Sequence, residues 1–209
     1  MHFFSAMRAA SIALAAITLL LTACDKKGEG SQMMLSPAQS SFKNTDVTGL
    51  DYAKDFAMPD HTGKLRTLAD FKGKAVVVFF GYTQCPDVCP TTMQEMANVM
   101  QQLGPLSDKV QVLFVTVDPE RDTPELLSKY VPAFDPRFLG LVGDKAATEK
   151  IAKEFRVFYQ KVPGKEPGSY TMDHTAGSYV FDPQGRLRLF VRHGQGPEQI
   201  AHDLKLLLS

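Results

Sequence analysis

Two continuous apolar runs, Ala75–Phe80 and Val110–Val117, constrain the fold of this chain more than any other feature. Each has the length of a strand, is rich in β-branched and aromatic residues, and is apolar on both faces. Such a run is stable only as a central strand covered on both sides of its sheet. Between the two runs, the span from Thr91 to Leu103 carries Met93, Met96, Val99, Met100 and Leu103 at helical spacing and stops at Gly104-Pro105. Buried strands separated by a helix argue for α/β layering around a sheet.

The rest of the chain extends that order. After Val117, Thr123 is placed to cap a helix, with Pro124 in its first position and Glu125 near its positive end. Phe138–Val142 is short and apolar, Ala146–Phe155 is helical in pattern, and Val157–Val162 is extended, followed by a loop rich in Gly and Pro. Ser178–Phe181 and Leu187–Val191 flank Asp182-Pro183-Gln184-Gly185, a type I turn signal that makes them a hairpin, and Pro197–Leu208 closes the chain as a helix. Pro59-Asp60-His61-Thr62-Gly63 reads as a turn. The expected fold is α/β and thioredoxin-like, with a central mixed β-sheet flanked by helices.

The N-terminus follows different rules. Arg8 precedes an uncharged apolar run from Ala9 to Leu21. A bilayer-spanning helix needs about 20 residues, so this shorter run reads as the core of a secretory signal. It ends in Leu21-Thr22-Ala23-Cys24, which resembles a bacterial lipobox in which the cysteine is acylated. The expected organisation is a lipoprotein signal peptide over 1–23, a lipid-anchored tether and lead-in over 24–52, and the folded domain over 53–209. The tether opens with the polar stretch Asp25 to Ser31. Asp25, next to the lipidated Cys24, resembles an inner-membrane retention signal, so the expected location is the periplasmic side of a bacterial inner membrane.

Lys plus Arg and Asp plus Glu number 23 each. The signal carries one basic residue, Arg8, and no acid, so the mature domain stays near neutral. There is no overall field to recruit nucleic acid, and the expected membrane contact is through the lipid. With Cys24 assigned to lipid, Cys85 and Cys89 remain the two thiols of the domain. A disulfide closing so short a loop would add little stability to a domain that can build its own core, so the pair points to chemistry.

Cys85-Pro86-Asp87-Val88-Cys89-Pro90 follows the first buried strand and leads into the helix. Three residues separate the thiols, where thioredoxin-type redox pairs have two. At helical spacing the sulfurs share a face and can converge on one ion, and a soft pair selects copper(I) or zinc over hard cations. A helix N-terminus also favours thiolate. Among the five histidines, His174 is distinguished by its position just before the terminal hairpin, which a thioredoxin-like layout brings against the cysteine loop. Asp173 could orient His174, and Asp118 could tune the site or order its loop. Tyr82 could shield a metal or pack. Met93, Met96 and Met100 read as core rather than as a copper relay. Arg121 with Asp122 reads as a surface pair or a capping device.

Three functions use such residues. A metallochaperone needs His174 as a ligand, whereas a thiol-disulfide oxidoreductase needs only Cys85 and Cys89 as attacking and resolving thiols. The latter normally has a cis-proline before the hairpin strand, and Thr175-Ala176-Gly177 supplies none. A peroxidase of the peroxiredoxin type would want Thr or Ser three residues before its reactive cysteine, where Tyr82 and Pro86 stand.

Gly81 through Pro90, Val117 through Pro124, and Asp173-His174 with Asp182-Pro183-Gln184-Gly185 resemble, in order, three motifs of the Sco/SenC family of copper proteins. The similarity runs from about Asp55 to Leu208. It implies copper, as Cu(I) or Cu(II), held by Cys85, Cys89 and His174. It also implies a role in assembling the dinuclear copper site of cytochrome c oxidase subunit II, by delivering copper or by reducing that subunit's thiols. The implied partners are subunit II and other copper chaperones.

Overall fold

The computed structural model describes residues 41–209. The signal, the lipobox and Cys24 lie outside the described residues. Among those described, no helix is long and apolar enough to cross a membrane.

Among the described residues there are ten strands and four α-helices. β4 (Ala75–Gly81) and β5 (Val110–Thr116) are parallel neighbours at the centre of a six-stranded mixed sheet, and every residue of both is buried. Both-sided burial is what their uninterrupted apolar sequence requires. β6 (Leu139–Leu141) continues the parallel side. On the other side β9 (Ser178–Phe181) and β10 (Leu187–Val191) form the expected antiparallel hairpin, with β9 against β4. The strand order is β1-β10-β9-β4-β5-β6.

Its outermost strand, β1 (Thr45–Asp46), pairs with β10 and so draws into the sheet a stretch that the sequence reading gave to the lead-in. Both of its residues are exposed, so it carries no apolar pattern to announce it. Two hairpins stand outside the main sheet: β2 (Ala57–Pro59) with β3 (Leu65–Thr67), and β7 (Tyr159–Pro163) with β8 (Tyr170–His174). β8 replaces the loop expected there, and His174 is its last residue.

α1 (Val88–Leu103) follows β4 and packs against α4 (Pro197–Leu207). It begins three residues earlier than its apolar period suggests, which places Cys89 and Pro90 in its first turn, where backbone N–H groups lack intrahelical partners and proline is tolerated. Met93, Met96 and Met100 are buried core residues. α2 (Pro124–Tyr130) starts as expected, with Thr123 accepting the Leu126 N–H at 3.2 Å, and α3 (Lys145–Glu154) is capped by Asp144. Gly81 pairs with Thr116, so the loops leaving β4 and β5 emerge side by side at the carboxyl ends of the parallel strands. That is where open α/β sheets bind their ligands.

Candidate metal centre

The cysteine loop is shaped by close packing at the end of β4. A side chain at Gly81 would stand 3.0 Å from Cys89 Sγ and 2.9 Å from the Phe114 ring, so only glycine lets Cys89 fold back over the strand. Tyr82 O accepts the Cys85 N–H at 3.3 Å, and Cys85 Sγ accepts the Cys89 N–H at 3.4 Å. Cys85 therefore lies in the turn before α1 and Cys89 within the helix. The two sulfurs approach because a turn meets a helix end, and not because both sit on one helix face. Both thiols are free. Cys89 is fully buried, while Cys85 and His174 are half-buried.

His174 reaches this pair from β8. Its Nε2 is 3.4 Å from Cys89 Sγ, and its Nδ1–H donates to the Thr175 carbonyl at 3.1 Å. A carbonyl can only accept, so this bond fixes the tautomer and leaves the Nε2 lone pair facing the sulfurs. The rings of Phe79 and Tyr82 stand edge-on to the imidazole at 6.2 and 6.0 Å. Burial lowers the His174 pKa, which favours the neutral, ligating form. One ligand atom from each of Cys85, Cys89 and His174 lies within 4.8 Å of the others. Two soft sulfurs and one imidazole nitrogen can hold a single thiophilic ion in that space.

Cys89 departs from the electrostatic expectation. Burial pushes its thiol well above the ordinary cysteine range, with the neighbouring Cys85 and Asp122 adding to the rise. Desolvation is the largest cause of that rise, so Cys89 holds its proton at neutral pH until something displaces it.

The surrounding residues are redistributed relative to the sequence reading. Asp173 is exposed, faces Gln160 across the hairpin, and is the smallest influence on His174, so the Thr175 carbonyl orients the imidazole instead. Asp118 is buried and orders its loop: it accepts from Arg121 Nε and, at 2.9 Å, from the Tyr170 hydroxyl. Tyr82 is buried and packs against the imidazole.

Arg121 and Asp122 form no surface pair. Asp122 is fully buried and accepts from Thr83 N, from Thr83 Oγ1 at 2.6 Å and from Thr116 Oγ1 at 2.6 Å. It ties the cysteine loop to β5. Arg121 turns the other way, over the Tyr170 ring. Adjacent charged residues give no signal of this in a sequence, because their partners Thr83 and Tyr170 are distant along the chain. The other histidines among the described residues stand elsewhere: His61 accepts the Gly140 N–H, His193 bonds Thr92, and His202 bonds Asp203.

Comparison with known proteins agrees with this architecture. The SCO1/SenC family pattern matches residues 45–209. The mitochondrial protein SCO2 homolog of Bos taurus is 38% identical over 153 residues, covering 72% of this chain and 58% of that protein, so the match spans under two thirds of that relative's length. Among solved structures, Bradyrhizobium japonicum ScoI with copper bound is 45% identical, with a TM-score of 0.68 over 74% of this chain and 98% of that one. The apo Sco1 protein from Thermus thermophilus is 41% identical, with a TM-score of 0.69 over 79% of this chain and 99% of that one. The family match covers nearly all of the described residues, and its cysteine loop, Asp118–Pro124 segment and His174 meet at one end of the sheet: the chain belongs to the SCO1/SenC family.

Proposed function

We propose that this chain is a copper metallochaperone, exported and lipid-anchored through Cys24 on the periplasmic side of the inner membrane, that supplies the dinuclear copper site of cytochrome c oxidase subunit II. The observation that carries the reading is the convergence of Cys85, Cys89 and His174, from two separate segments, within 4.8 Å. The donor set fits the cargo. Two thiolates suit Cu(I), and the imidazole keeps the site tolerable for Cu(II). With Cys85 and His174 half-buried, the site is open enough for ligand exchange with an acceptor or with an upstream copper chaperone. Cys24 supplies the tether in this reading, and Cys24→Ala should abolish incorporation of labelled fatty acid into the protein.

The same thiols support a second reading, reduction of the oxidase subunit's copper-site cysteines. There, the partly exposed Cys85 would attack a partner disulfide and Cys89 would resolve the mixed disulfide, leaving Cys85–Cys89 oxidised and the partner with two thiols. His174 separates the two. Anaerobic titration of the detergent-solubilised chain should give about one tightly held copper per chain, and His174→Ala should weaken binding roughly a hundredfold. Wild-type copper affinity in His174→Ala, with disulfide reduction of a subunit II peptide intact, would favour the reductase.

A further inference from the structure

His174 rides on a ribbon outside the main sheet. β7 and β8 pair with each other and with no strand of the six-stranded sheet. Ladder bonds therefore do not hold the imidazole over the cysteine loop. Beyond the covalent link through 175–177 to β9, side chains do: Met172 packs in the core, Tyr82 bonds the Met172 backbone, and Arg121 contacts both segments.

Arg121 Nη1 donates to Gln84 Oε1 at 3.2 Å, directly beside Cys85, and to the Tyr170 carbonyl at 2.9 Å, at the start of β8. Its guanidinium lies 3.6 Å from the centroid of the Tyr170 ring and 5.7 Å from that of Tyr82. Its Nε donates to Asp118, whose other carboxylate oxygen accepts the Tyr170 hydroxyl at 2.9 Å. Lys161 approaches the Tyr170 ring at 4.6 Å and bonds Glu120. One planar cation thus touches the segment that bears Cys85 and the ribbon that bears His174, and it is anchored to the loop after β5. Its Nη2 is buried without a hydrogen-bond partner, so stacking and these few bonds hold it in place. A lysine could keep the charge but could not stack and reach Gln84, Tyr170 and Asp118 at once.

We infer that Arg121 is a positioning residue that closes the site: by fastening the β7–β8 ribbon to the cysteine loop, it sets how long a bound copper ion is retained. This rests on the copper-binding reading above and deepens it. When the ribbon lifts, the imidazole leaves while both sulfurs stay, and a site reduced to two donors exchanges its ion faster. Release to an acceptor then follows the opening of the Arg121–Tyr170 contact.

The test uses the full chain in detergent micelles, loaded anaerobically with Cu(I) and mixed with a saturating chromophoric Cu(I) chelator. Arg121→Lys should speed copper release roughly 10- to 100-fold, the usual effect of removing a group that orients a metal ligand. In a His174→Ala background the same substitution should add little, because the ligand it positions is already gone. Tyr170→Leu, which removes the stacking surface from the other side, should also accelerate release, and it carries the test if Arg121→Lys does not fold. Wild-type release in a folded Arg121→Lys, or in Tyr170→Leu, overturns the inference. So does an equal acceleration with and without His174, which would mark a general loosening. A wild-type chain that takes up no copper overturns the copper reading and this inference together, whereas copper uptake with unchanged release overturns this inference alone.

Discussion

Two buried aspartates at different places in the fold are treated in opposite ways. Asp60, in the turn between β2 and β3, is 1% exposed and faces Arg66 Nε at 2.7 Å, along with Thr62 Oγ1 and the N–H groups of Thr62 and Lys64. Burial alone would raise its pKa, but these hydrogen bonds outweigh it and bring the carboxyl down to about 2. Asp122, beside the candidate metal centre, is fully buried and has only the Thr83 and Thr116 hydroxyls and the Thr83 N–H as side-chain partners. Among the described residues no cation bonds its carboxylate, and burial raises its pKa. The first carboxylate secures a turn at a gain in stability. The second accepts a desolvation penalty to hold Thr83, two residues before Cys85. Local stability is thus given up where loop position matters to the ligands.

The largest effect expected from this contrast is on stability. Asp60→Ala strands Arg66 and several N–H donors in a half-buried turn, and should cost about 3 kcal/mol in a urea unfolding curve while copper affinity stays at the wild-type level. A matching loss of copper affinity would show that the two regions are not independent.

Next in size is the pH dependence of loading. Cys89 begins protonated, so copper must displace its proton, and apparent affinity should rise about tenfold per pH unit from this thiol alone between about pH 6 and 8. Chelator competition across that range measures the slope, and a flat profile would contradict a buried, protonated Cys89.

Asp122→Asn should lower copper affinity about tenfold by loosening Thr83, yet change unfolding free energy by no more than about 1 kcal/mol, because it also removes a buried charge. The smallest effect is the sign of the pH–stability relation. The pKa of Asp60 is depressed in the fold, so its contribution is present above about pH 4 and lost as pH falls through about 2. That of Asp122 is raised, so its contribution is present at low pH and lost as pH rises through its folded pKa. Comparing Asp60→Ala and Asp122→Asn with wild type in urea unfolding curves at several pH values separates the two. Contributions of the same sign would collapse the contrast.

What could be read from sequence follows the range over which each signal acts. β4, β5, the β9–β10 hairpin and the Thr123 cap depend on local periodicity and turn chemistry, and they fall where those signals put them. β8 was not legible because its alternation is short and rests on one buried apolar residue, Met172, between exposed Thr171 and Asp173. The meeting of Cys85, Cys89 and His174 was legible from motif order. The state of Cys89 was not, since helix position is local but burial against β4 and β5 is a tertiary property. For the same reason Arg121-Asp122 looked like a surface pair: nothing adjacent marks one as a buried tie and the other as the clasp on Tyr170.

The central claim is that two sulfurs and one imidazole close on a single ion. Copper K-edge X-ray absorption on the anaerobically loaded chain tests it most directly. The account predicts two sulfur scatterers and one imidazole in wild type, with the imidazole signature lost in His174→Ala and the sulfurs retained. A wild-type spectrum with sulfur alone, or one unchanged by His174→Ala, would contradict it.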